Sequence, residues 1–220
     1  GEGQRMLSRS PKRAVRGLTL IEIAVVLVIL GLLLMAAMPT VGTWIRNTQV
    51  RNTASSMLAG LQVARNEAIR RNAAIQFSVV SLTNSAVMNN TCALSGSGVS
   101  WVVSVRDPAG NCHYTPSLTA ADANDPMIVE TNAGGVGGQN VVVAAKLADG
   151  SAAADTVVFN GFGRVDNATP IGFINIENET SGSDYRRFRI EIAPGGAVRM
   201  CDLAVTATTA SRYGATRGTP

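Results

Sequence analysis

The chain has 220 residues, enough for one globular domain of ordinary size and an appendage. Hydrophobic residues reach 46% and charged residues only 15%, an imbalance concentrated between Leu18 and Met38. The net charge of +4 comes from residues 1–17, where Arg5, Arg9, Lys12, Arg13 and Arg16 stand against Glu2 alone, so the remainder is formally neutral and the basic balance is no argument for a nucleic-acid partner.

The first element is "RGLTLIEIAVVLVILGLLL", Arg16 to Leu34, a nearly unbroken apolar run behind a basic stretch. A cleaved secretory signal would have an apolar core of roughly 7–15 residues and a small-x-small cut site, and this run is longer with only "MAAMPT" at its end. A single-pass anchor takes roughly 20 apolar residues, with the basic flank left in the cytoplasm and the bulk of the chain outside. Neither reading explains Glu22, since a carboxylate inside a membrane helix costs roughly 2.5–3.5 kcal/mol on insertion scales. A cut after Gly17 would supply a partner: a new amino terminus on Leu18, four residues before Glu22. The stretch "RGLTLIEIAVVLVILG" resembles the class III signal of type IV pilins and type II secretion pseudopilins, with Gly17, Leu18 and Glu22 in the positions of the cut, the first mature residue and the fifth. That family usually starts its mature chain with Phe, where this chain has Leu18. The resemblance implies cleavage by prepilin peptidase between Gly17 and Leu18, N-methylation of Leu18, and a meeting of Glu22 with a neighbouring subunit's amino terminus during assembly. Pro39 closes the run and reads as a bend where the helix leaves the membrane.

Beyond Pro39 the pattern turns amphipathic. Val50, Ala54, Met57, Leu58, Leu61, Ala64, Ala68 and Ile69 recur at spacings of three and four, one helical face, and Glu67 precedes Arg70 and Arg71. After Asn72 the period becomes alternating. Expected strands are Ala74–Ser81, Ser100–Arg106, Met127–Glu130, Val141–Ala145, Thr156–Phe159, Ile171–Glu177, Tyr185–Ala193 and Ala197–Cys201, separated by Gly, Asn, Asp and Pro. In "YRRFRIEIA", Phe188, Ile190 and Ile192 share one face and Arg187, Arg189 and Glu191 the other, and "PGG" reads as a hairpin turn. The stretches "LQVARNEAIRRNAAIQFSV", "VVFNGFGRV" and "RRFRIEIAPGGAVRMCD" resemble the FimT and GspH group of minor pilins and pseudopilins. The expected fold is therefore α+β and pilin-like: a leader over residues 1–17, a membrane or filament-core helix over 18–39, its amphipathic second half over 40–72, an antiparallel β head over 73–205 and a disordered tail over 206–220.

The remaining candidates are few. "GGVGGQN", Gly134 to Asn140, lacks the Gly-Lys-Ser/Thr ending of a phosphate loop. With three cysteines, no C-x-x-C pair and His113 as the one histidine, four zinc ligands cannot be assembled, and no nucleophile–base arrangement is apparent, so neither metal, cofactor nor catalysis is expected. Cys92 and Cys112 flank an expected strand in a head that the resemblance places in the oxidising periplasm, so a disulfide between them is expected, with pairing through Cys201 as the alternative. Some FimT-like proteins bind DNA through a Gly-Arg-x-Arg motif. The matching residues here are Gly196, Ala197, Val198 and Arg199, so the first Arg is missing, and Arg187 and Arg189 would have to compensate. The reading that results is a structural subunit of the bacterial inner membrane with a periplasmic head. Its partners are prepilin peptidase and other pilin or pseudopilin subunits. A DNA-binding minor pilin and an unprocessed anchored protein are the alternatives.

Overall fold

The computed structural model describes residues 19–117, 119–135 and 138–203, with residues 36–40 described as backbone only. The leader, the Gly17–Leu18 cut, the methylation of Leu18 and the tail over 206–220 lie outside the described residues, and so does the side chain of Pro39. The chain divides into two compact units, Gly1–Val41 and Gly42–Pro220. Helix α1 (Leu20–Arg71) contributes to both.

Within the second unit, α1 lays down an uninterrupted apolar face. Val50, Ala54, Met57, Leu61, Ala64 and Ala68 are all fully buried, at alternating spacings of four and three. Each of the larger ones contributes roughly 1.5–3 kcal/mol of burial. Leu58 is half-buried at the margin, and Ile69, expected in the core, is 47% exposed because it lies one position past the buried face. The helix ends in a Schellman motif. Asn72 adopts a left-handed φ of 49°, its N–H donates to the Ile69 carbonyl at 3.3 Å, and the Ala73 N–H donates to the Ala68 carbonyl at 3.2 Å. Arg70 and Arg71 both donate to Glu67, at 2.6 and 2.8 Å, which holds the Glu67 carboxyl below the usual carboxylate range and places the two cations where the helix dipole favours them.

Among the described residues nine strands follow: β1 (Ile75–Ser81), β2 (Ala93–Leu94), β3 (Ser100–Ser104), β4 (Ile128–Asn132), β5 (Val141–Lys146), β6 (Thr156–Phe159), β7 (Phe173–Asn178), β8 (Phe188–Ile192) and β9 (Val198–Asp202). They form two antiparallel sheets. In the first, β1 is central. β3 runs along one edge with β4 beyond it, while β2 and β6 share the other edge end to end. The second has the order β5-β7-β8-β9, with Ile174 opposite Ile190 and Ile190 opposite Met200. Helix and sheets meet in one core, where Phe77, Trp101, Val157, Phe159, Ile174, Ile176 and Ile190 surround the helix face.

The first sheet is covered on both sides. Its far face carries a second cluster of Val80, Val102 and Ile128, packed under Cys92 and Cys112, which are joined in a disulfide. This explains why β3, "SWVVS", shows no alternation: all five residues are buried. Strand β2, absent from the sequence expectation, is a two-residue pairing with the end of β1, too short to carry a period.

The helix approaches the first sheet closely at Gly60. A Cβ there would stand 2.8 Å from Phe77 Cε2 and 2.9 Å from Trp101 Cδ2, and neither ring is free to retreat. The rings lie 5.7 Å apart, and Trp101 Nε1–H donates to Ser56 Oγ at 3.0 Å. We expect Gly60→Ala to destabilise the head by about 1–2 kcal/mol, the overpacking penalty less what alanine gains in helix propensity. Gly42→Ala, where nothing lies within 4 Å, should be neutral or stabilising. Thermal unfolding of the two variants checks this, and equal shifts would contradict it. Replacing Cys92 and Cys112 by serine opens a loop with a sequence separation of 20. This should cost about 3 kcal/mol in denaturant unfolding. An unchanged midpoint would show that the loop stays put without the bond.

Candidate functional site

The sequence singles out two places, and each is set by its local structure. At the start of α1, Thr19 is the N-cap. Its Oγ1 accepts the Glu22 N–H at 3.2 Å and its carbonyl accepts the Ile23 N–H at 3.2 Å. Thr19 and Glu22 thus have the spacing of a capping box, and Glu22 sits in the first turn, where the helix dipole favours an anion. "TLIE" carries this signal in the sequence. A capping position explains an acidic residue here without a second chain, although it does not require Glu over Gln. Around and beyond Glu22 every described side chain from Leu20 to Met35 is exposed, Leu20 at 89%. A helix apolar all round needs an apolar environment. Among the described residues no helix is long and apolar enough to cross a membrane. The described side chains of the apolar run stop at Met35, short of the roughly 20 residues a crossing takes.

The second place is the arginine face of β8 and β9. Arg187, Arg189 and Glu191 lie on the solvent side by simple alternation, and the register sets Asn175 opposite Arg189 and Arg199 opposite Glu191. Arg189 Nε–H donates to Asn175 Oδ1 at 2.8 Å, and its guanidinium stacks 4.5 Å over the Phe173 ring. Arg199 is paired with Glu191 at 3.5 Å, and Arg186 donates to Asp202 at 2.8 Å. Arg187 is exposed and lines a shallow recess beside Tyr185. Arg189 and Arg199 are therefore diagonal neighbours across the strands and both are occupied, while Arg187 lies two residues along the chain from Arg189, beside a different recess. Strand alternation showed which side they face; the partners depend on cross-strand register, which one strand alone does not reveal.

Cys201 is a free, buried thiol on β9, and burial pushes its pKa up, so it stays protonated and inert. His113 is exposed, with its backbone N–H donating to Asn90 Oδ1 at 3.0 Å. Among the described residues no three metal-ligating side chains gather.

Comparison with known proteins adds the lineage. The family model of the type II transport protein GspH matches residues 53–196, and that of the prokaryotic N-terminal methylation motif matches residues 12–38. No curated protein matches the chain. Two crystal structures of the type IV minor pilin FimU of Pseudomonas aeruginosa PAO1 are similar to it. The P65 form is 15% identical, covering 68% of this chain and 90% of that one, and the P21 form is 14% identical, covering 70% and 88%; both have a TM-score of 0.39. The GspH match runs from the buried face of α1 through the β8–β9 turn, well over half of the sequence, and the chain belongs to the type II transport protein GspH family.

Proposed function

We propose that this protein is a minor subunit of a type II secretion pseudopilus or a type IV pilus, and that it works by assembly and not by catalysis. The basic leader holds the N-terminus in the cytoplasm, the apolar run from Leu18 to Met38 enters the inner membrane, and the β head stands in the periplasm. Prepilin peptidase cuts after Gly17 and the new amino group on Leu18 is methylated. The apolar half of α1 then moves from lipid into a filament, where Glu22 meets the amino terminus of a neighbour.

The observation that carries this reading is the placement of Glu22. It is the one acidic residue of an apolar helical stretch whose described side chains are exposed, and it lies five residues after Gly17 in a matched methylation motif. Nucleic-acid capture is the weaker reading. It needs several cations free to meet phosphates, and Arg189 and Arg199 already serve Asn175, Phe173 and Glu191.

Intact mass of the protein extracted from membranes, with and without a co-expressed prepilin peptidase, tests the proposal. We expect a mass drop equal to residues 1–17, with or without one added methyl group, only when the peptidase is present. An unchanged mass in both samples would leave a plain anchored periplasmic protein.

A further inference from the structure

Membrane insertion, proposed above, leaves open where the head sits against the bilayer, and one end of the head is built for a particular answer. In the sequence, Trp44 stands six residues beyond Met38, the last of the apolar run. It is 67% exposed, and Ile45 beside it is 46% exposed. Next along the helix, Arg46 Nη1–H donates to Thr180 Oγ1 at 2.9 Å, and its guanidinium lies 6.0 Å from the centre of the Tyr185 ring. Asn47 fastens the same loop twice. Its Nδ2–H donates to the Asp184 carbonyl at 2.9 Å, and its Oδ1 accepts the Arg186 N–H at 2.8 Å. The β7–β8 loop is thereby pinned at the level of Arg46 and Asn47, immediately after Trp44. It brings Tyr185 and Arg187 to that end of the head, around a recess of about 280 Å³ that Thr180, Ser181 and Ser183 also line.

We infer that this end of the head, carried by Trp44, Tyr185 and Arg187, rests in the phospholipid headgroup layer while the subunit waits in the membrane. Indole and phenol rings with one apolar and one wet end settle at the headgroup level. The guanidinium of Arg187 and the neighbouring hydroxyls are donors suited to a lipid phosphate. Glu177, Glu179 and Asp184 share the loop region with Arg46, Arg186 and Arg187, so the local charge is close to balanced. The contact therefore depends on the rings more than on net charge and should change little with salt. Assembly into a filament would exchange this headgroup contact for neighbouring subunits.

The inference rests on the membrane reading, and the test separates the two. The full chain is reconstituted in phosphatidylethanolamine–phosphatidylglycerol vesicles containing lipids brominated either near the headgroup or near the chain ends. Trp101, at 2% exposure in the head core, supplies a constant background. The difference between the native chain and Trp44→Phe isolates Trp44. We expect headgroup-proximal bromines to quench Trp44 emission about twofold, chain-end bromines much less, and the double variant Tyr185→Ala/Arg187→Glu to lose part of that quenching. A chain that resists carbonate extraction while Trp44 remains unquenched and open to aqueous iodide would overturn the inference and leave the membrane reading intact. A chain that carbonate removes would overturn both. Quenching unaffected by the double variant would overturn the role assigned to the loop.

Discussion

The seating of one helical face between two sheets is the constraint on which the head depends. From Val50 to Ala68 every core position of α1 is fully buried, and the residues that enclose it come from β1, β3, β5, β6, β7 and β8. The sheets have few other ways to bury their inner faces, so the helix is a structural member of the domain and not a stalk on which it is mounted. The fit is tightest at Gly60, where helix backbone lies against the rings of Phe77 and Trp101. A glycine inside a helix costs up to about 1 kcal/mol. Here that cost is offset by the approach it permits, since close packing around aromatic rings loses energy quickly when surfaces separate by even part of an ångström.

The same helix serves two environments. Its second half is amphipathic and belongs to the head; its first half, as far as Met35, is apolar on all sides and exposed. On the proposed function, dividing one helix this way would let the subunit change its surroundings without refolding: the apolar half would exchange lipid for the helices of neighbours while the head keeps its core. Thr19 and Glu22 sit at the start of the apolar half, and the disulfide-bound loop and the arginine face belong to the head.

Much of this was legible before the fold was known, because two periods carried it. The spacing of Val50, Ala54, Met57, Leu61, Ala64 and Ala68 reports burial directly, and the alternation in "FRIEI" gave β8 its two faces. Where the fold departs from the reading, a physical cause is at hand. Strand β3 is buried on both faces, so alternation had nothing to report, and β2 is two residues long. Ile69 repeats at the right interval but lies one step around the helix, against the Gly163 turn instead of the core. At the candidate site, residue types and faces were readable while partners were not. Nothing local in "RFRIEIA" says that Asn175 and Phe173 occupy Arg189, because that pairing depends on a register set between distant strands. The Thr19 cap was readable in "TLIE", because capping depends on a spacing of three residues and on nothing distant.

The division of the helix is the central claim, and the most direct measurement is unfolding of the fragment Gly42–Pro220 beside the full-length chain in detergent. We expect the fragment to be soluble without detergent and to unfold in one cooperative transition, with the midpoint of the head in the full chain. A fragment that aggregates, or melts without cooperativity, would mean that the first half of α1 is needed to hold the head together, and that the two halves do not have separate tasks.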